Sequence, residues 1–259
     1  MREQDLQHHI QLKRGDVGRY VLLPGDPGRC EKIASYFDYP HLMASNREYT
    51  TYTGTLLGEK VSVTSTGIGA PSAAIAVEEL VAIGADTFIR VGTSGGMQPE
   101  TIPGEIAVVT AAIRDEGTSM HYMPVEFPAV ADTDVVLAMI EGAKRAGMPY
   151  RVGICQTKDS YYGEVEPERM PIANQLLERW DAWVAGGAIC SEMEASAIFI
   201  LSSIHHVRAG GVMLMSYSED NTPQTEEEWQ QFEEMFNIER VIQAAIEGLK
   251  VLIERDRKK

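Results

Sequence analysis

The sequence predicts a single α/β domain in which helices flank a mixed, mostly parallel central sheet. Three observations predict it. Apolar, strand-like runs alternate with stretches of helical periodicity from Tyr20 to the C-terminus. One hairpin, turning at Gly58-Glu59-Lys60, interrupts that alternation and supplies antiparallel pairing. No repeat, low-complexity tract or linker divides residues 1–259, and 44% hydrophobic content over 259 residues suffices for one large core.

The elements follow in chain order. His8 and His9 lie on a polar N-terminal stretch, residues 1–14, that lacks the apolar core of a signal peptide. Tyr20–Leu23 reads as a strand ending in Pro24-Gly25-Asp26-Pro27-Gly28-Arg29, and residues 30–37 as a helix. A strand, glycine turn and helix gather N–H groups and a positive helix end at one point, which suits an anion. The turn matches neither GxGxxG nor the Walker pattern, and a proline-rich turn with a solvated Arg29 has the same composition. Residues 51–57 and 61–66 alternate as the strands of the hairpin. Residues 71–83 form a helix with proline in its first turn and glycine past its end, and Glu78 and Glu79 fall on its exposed side.

Residues 87–98 hold the anomaly. Phe88, Ile89 and Val91 make a buried strand that embeds Arg90 and breaks at Gly92, Gly95 and Gly96. A guanidinium there needs a carboxylate partner or a polar cleft. The hydroxyls of Thr93 and Ser94 and the uncovered N–H groups beside it offer an oxyanion cradle. Both readings fit.

Residues 104–113 are a further strand, 114–128 a polar loop and 132–146 a helix stopped by Gly147. The strand at 151–157 runs into a segment, 158–169, whose aromatics and mixed charges suit a ligand-facing loop or a solvated one. A helix through Trp183 precedes Ser191-Glu192-Met193-Glu194, which has the spacing of a capping box before a helix ending near His205 and His206. Residues 207–217 form the last strand. Thr225 to Glu228 make the acidic first turn of a C-terminal helix with Ile238, Val241, Ile242, Ala245, Leu249 and Leu252 at core spacing.

Composition excludes several classes. A formal charge of −15 leaves no basic surface for a nucleic-acid polymer, and no apolar run approaches the roughly 20 residues that span a bilayer. Cys30, Cys155 and Cys190 are odd in number and lack CxxC spacing, so neither a disulfide framework nor a zinc site is expected. Cytoplasmic residence is the expectation.

Five ordered motifs then coincide: Pro24-Gly-Asp-Pro-Gly-Arg29, Asn46-Arg-Glu-Tyr49, Ser65-Thr-Gly-Ile-Gly69, Arg90-Val-Gly-Thr93 and Glu192-Met-Glu194. With Phe127-Pro-Ala-Val-Ala-Asp132 and Glu166-Pro-Glu-Arg-Met170, the chain resembles a nucleoside phosphorylase of the hexameric, uridine phosphorylase-like branch. The resemblance implies phosphate attack on C1′ of a ribonucleoside and release of the base, with uridine as first substrate and phosphate as co-substrate. It needs no cofactor. It implies that Gly25, Arg29, Arg90 and Thr93 bind phosphate, with Arg47 entering from a neighbouring subunit of a dimer-based homohexamer. It assigns ribose to Thr93, Glu192, Met193, Glu194 and a partner's His9, and catalysis to Arg90, Thr93 and Glu194. A monovalent cation such as K+ is implied between subunits at Glu48, Ile68 and Ser72.

The base set is Tyr161, Glu164, Arg169, Glu219 and Asp220. Here the sequence departs from uridine-cleaving relatives, which carry Gln where Glu164 stands and an Asn–Arg type of pair where Ser218-Glu219-Asp220 stands. A carboxylate cannot donate to a uracil carbonyl unless protonated. A purine or other-base phosphorylase using Glu219 or Asp220 as acid is therefore the alternative, ahead of a hydrolytic nucleosidase and a non-catalytic nucleoside sensor.

Overall fold

Buried apolar runs set the strands and one-sided apolar stripes set most helices. Their order is β1 (Tyr20–Leu23), α1 (Gly28–Ala34), β2 (Asp38–Asn46), β3 (Tyr49–Leu56), β4 (Glu59–Thr64), α2 (Ala70–Ala82), β5 (Thr87–Gly96), β6 (Ile106–Asp115), β7 (Ala129–Val130), α3 (Thr133–Arg145) and β8 (Tyr150–Lys158). Then come α4 (Tyr161–Val165), α5 (Ala173–Ala185), β9 (Cys190–Glu192), α6 (Ala195–Ile204), β10 (Arg208–Met215), α7 (Glu226–Met235) and α8 (Ile238–Asp256). These come from a computed structural model that describes residues 6–259; positions 1–5 of the N-terminal stretch and of the expected domain lie outside the described residues.

One sheet holds the strands in the order β10-β6-β8-β9-β5-β1-β4-β3-β2, with β7 on β6. β1 pairs in parallel with β4 and β5, β5 with β10, and β8 with β6 and β9. Antiparallel contacts enter at the β2–β3–β4 meander, at β9 against β5, and where β6 meets β10 and β7. The sheet is more evenly mixed than simple alternation predicts, because β10 bonds β5 on one side and β6 on the other and folds the sheet back on itself. β1 meets β5 at Leu23↔Arg90 and β9 meets it at Gly95↔Ser191, with the end of β8 joined to β9 through Thr157↔Glu192.

Two apolar clusters cover the sheet. α2 and α6 supply one; α1, α3 and α8 supply the other. At the α3–α8 crossing a Cβ on Gly142 would lie 2.3 Å from the Gly248 nitrogen, so the helices touch backbone to backbone.

Three expectations are corrected. Residues 38–46, left without an element in the sequence, form edge strand β2 by pairing with β3, despite an exposed pattern that carries no core signal. The C-terminal helix is two helices: Thr225 caps α7, Phe236 and Asn237 break the path, and Asn237 caps α8. The segment after β8 holds α4 and a 3-10 turn at Pro167–Arg169 rather than an open loop. Among the described residues, no helix is long and apolar enough to cross a membrane.

Gly142→Ala is expected to cost about 1–3 kcal/mol by forcing α3 and α8 apart. A lower urea midpoint at unchanged slope checks it.

Candidate functional site

Arg90 is 5% exposed. Its Nη2 pairs with Glu194 Oε2, Nη1 donates to the Leu23 carbonyl at 3.3 Å, and Nε lies 3.6 Å from Glu192 Oε2 with no hydrogen-bond partner. The sequence left open a buried ion pair or an anion cradle; the ion pair is present, and Arg90 Nε is left without a hydrogen-bond partner. Gly92 makes room, since a Cβ there would sit 2.7 Å from Met213 Sδ and 2.9 Å from Arg90 Nη2. A Cβ on Gly25 would sit 3.6 Å from Arg90 Nη1, so the turn after β1 brings its bare backbone against the same guanidinium.

Arg29, in the first turn of α1, has its side chain 23% exposed. Its nearest carboxylate, Asp26, is 3.9 Å away and accepts the Gly28 N–H at 2.8 Å. Burial, then the neighbouring Arg90 charge, hold the Arg29 pKa below its ordinary value. Two guanidiniums so placed, beside glycine backbone, favour a multiply charged anion between them.

The Glu192–Glu194 segment corrects the capping-box reading. Ser191 lies in β9, and its hydroxyl meets Gln156, Lys158 and Glu164 instead of the helix. α6 is capped by Glu192, whose carboxylate accepts the N–H groups of Glu194 at 2.8 Å and Ala195 at 2.9 Å, and the Thr157 hydroxyl at 2.6 Å. Glu192 is thus occupied in shaping the turn rather than free for a sugar. Burial, then the adjacent Glu194 charge, push its pKa upward. Glu194 Oε1 accepts the Gly69 N–H at the start of α2 at 2.6 Å. Two carboxylates therefore meet two helix N-termini, with Arg90 between them. Met193 and Thr93 are half-buried beside this set.

Beyond β8 lies a cavity of about 180 Å³ bordered by Lys158, Glu164, Glu219, Leu177, Trp180 and Trp183. Of the predicted base set, Glu164 and Glu219 reach it. Tyr161 and Asp220 are exposed outside it, and Arg169, 68% exposed, pairs with Glu166. Lys158 escaped sequence reasoning although it is 7% exposed, donating to Glu164 and to Ser191 Oγ. The signal was a lysine closing an apolar strand, hidden among the other charges of 158–169.

Glu79 does not face solvent as expected. It accepts the N–H groups of His9 at 3.0 Å and Ile10 at 2.8 Å, and its Oε1 is 2.6 Å from His9 Nδ1, because a chain entering along α2 needs an acceptor. Asn46 donates to the His9 carbonyl at 2.7 Å. Arg47 is exposed, in left-handed backbone at φ 54°, and makes no ion pair among the described residues. Glu48 and Ser72 adjoin at Gly67, where a Cβ would lie 2.7 Å from Glu48 Cγ and 3.3 Å from Ser72 Oγ; Ile68 is beside them and exposed.

The family described as the phosphorylase superfamily matches residues 19–254. A uridine phosphorylase of Treponema pallidum is 48% identical, over 97% of this chain and 96% of that protein. A guanosine phosphorylase of Halorubrum lacusprofundi is 38% identical, over 80% and 81%. A crystal structure of uridine phosphorylase from Vibrio fischeri superposes with a TM-score of 0.86 at 29% identity, covering 98% of this chain and all of that one.

Arg90→Met leaves Glu192 and Glu194 buried without their cation and is expected to destabilise by about 3–5 kcal/mol. The Glu192 pKa already lies above its ordinary value and Arg90 lowers it, so losing Arg90 raises it further. Such groups stabilise the fold below the unfolded pKa and lose that contribution as pH rises through the folded one. Urea midpoints at pH 5 and pH 8 should therefore show the larger deficit at pH 8.

Proposed function

The chain belongs to the phosphorylase superfamily, and we propose that within it the protein is a uridine phosphorylase, converting uridine and phosphate to uracil and ribose 1-phosphate. The observation that carries the reading is the Arg29–Arg90 pair against the bare backbone of Gly25, with Glu194 bonded to the same guanidinium. Phosphate held there neutralises the repulsion between the two cations. A phosphate oxygen attacks C1′ as the C1′–N1 bond breaks, and the bonding pair leaves on uracil N1. Thr93 bridges phosphate and ribose. Glu194 retains acceptor capacity beyond its bonds to Gly69 and Arg90, enough to receive a sugar hydroxyl. The chemistry is orientation plus charge complementarity.

In this reading the assembly is a homohexamer of dimers residing in the cytoplasm, and Arg47 and His9 serve a neighbour's site. Support comes from Arg47, exposed and without an ion pair among the described residues, and from the exposed apolar Tyr39, Leu42 and Met43 on β2 and Ile68 after β4. A monovalent cation would take its ligands from Glu48, Ser72 and the Ile68 carbonyl, a sparse all-oxygen set that suits a weakly held hard ion.

Glu219 on the cavity wall, together with the guanosine-cleaving relative, favours a second reading in which the base is a purine and Glu219 protonates it. A phosphate-dependent assay over uridine, thymidine, inosine and adenosine separates the two; inosine cleavage without uridine cleavage overturns the first. Activity indifferent to phosphate would instead indicate hydrolysis. Arg29→Ala is expected to raise the phosphate KM about 10–100-fold, since charged hydrogen bonds contribute ~1.5–3 kcal/mol. Arg47→Ala should raise the same constant, and an unchanged value removes Arg47 from the site.

A further inference from the structure

Among the described residues, the members of the predicted base set that border the cavity, Glu164 and Glu219, are both acids, and Arg169 pairs with Glu166 outside it. Glu164, standing where a donor is needed, is a carboxylate locked against Lys158 and Ser191. The register of three strands brings a lysine to the same face. Gly95 on β5 lies opposite Ser191 on β9, and Ser191 lies beside Gln156 on β8. Side chains alternate along a strand, so Thr93, Gly95, Ser191, Gln156 and Lys158 share one face. A Cβ on Gly95 would meet nothing within 4 Å, so open space lies over the strand between Thr93 and the Lys158 cluster. An ammonium has three N–H donors. Lys158 gives one to Glu164 and one to Ser191, and the third has no protein partner among the described residues. Lys158 also borders the cavity.

We propose that Lys158 is the specificity-determining group for the base: its remaining N–H donates to a carbonyl oxygen of the pyrimidine and stabilises the negative charge that oxygen acquires as the glycosidic bond breaks. This rests on the uridine reading above. Glu164 and Ser191 hold the ammonium in place, which explains how an acid can stand where an amide donor is expected. As N1 receives the bonding pair, charge spreads to the ring carbonyl oxygens, and a fixed, buried cation favours that state over the neutral nucleoside. Removing one such donor typically lowers kcat by about 10²–10³.

The test compares wild type and Lys158→Met across uridine, 5-fluorouridine and 5-nitrouridine, whose bases are progressively better leaving groups. Lys158→Met should lower kcat/KM for uridine roughly 100-fold, leave the phosphate KM unchanged, and lose progressively less with the two activated substrates. Because the single variant strands Glu164, the double variant Lys158→Met/Glu164→Met should show the same leaving-group dependence with the buried charge removed. Equal losses across the three substrates, a raised phosphate KM with unchanged kcat, or no loss overturns the assignment while leaving uridine phosphorolysis intact. A wild-type enzyme that cleaves inosine and not uridine overturns both.

Discussion

The site depends on one buried positive charge. Arg90 is held inside an apolar strand because Glu194 and Glu192 lie against it, and each of those carboxylates also receives backbone N–H donation at the start of a helix. Remove any member and the others are stranded. The arrangement therefore ties together, in one network, the start of α2, the start of α6, the end of β1 and the middle of β5. Under the proposed function, stability and chemistry would share these residues.

Strand register sets this network. Glu192 and Glu194 follow β9, a strand of three residues that is antiparallel to β5 and parallel to β8. β5 carries β1 along Thr87–Arg90 and β9 at Gly95 and Gly96, so the Gly25 turn and the Glu194 turn leave from neighbours of one strand. β10 then bonds both β5 and β6 and folds the sheet back on itself.

Much of this was legible in the sequence, for identifiable reasons. Strands buried on both sides, glycine-bounded helices and a two-strand hairpin write their periods locally, and Arg90 stands out because charge is rare in such a run. β2 was not legible, since an edge strand exposed along its length has only its partner to define it. Nor was the role of Ser191: its spacing to Glu194 fits a cap, but β9 pairs it with Gln156, and Glu192 supplies the cap from the strand's end. The base side was the least readable part. Lys158, Glu164 and Ser191 come from three segments whose meeting depends on strand register, and no local pattern encodes it.

The N-terminal stretch has a consequence for assembly. His9 and Ile10 are pinned by Glu79, and the His9 carbonyl by Asn46, next to Arg47. The conformational entropy of His9 and Ile10 is therefore surrendered when the chain folds, and a second subunit docking on these two residues would meet a surface already set. Their part in association would then cost no further ordering, leaving diffusion and orientation to set the rate there.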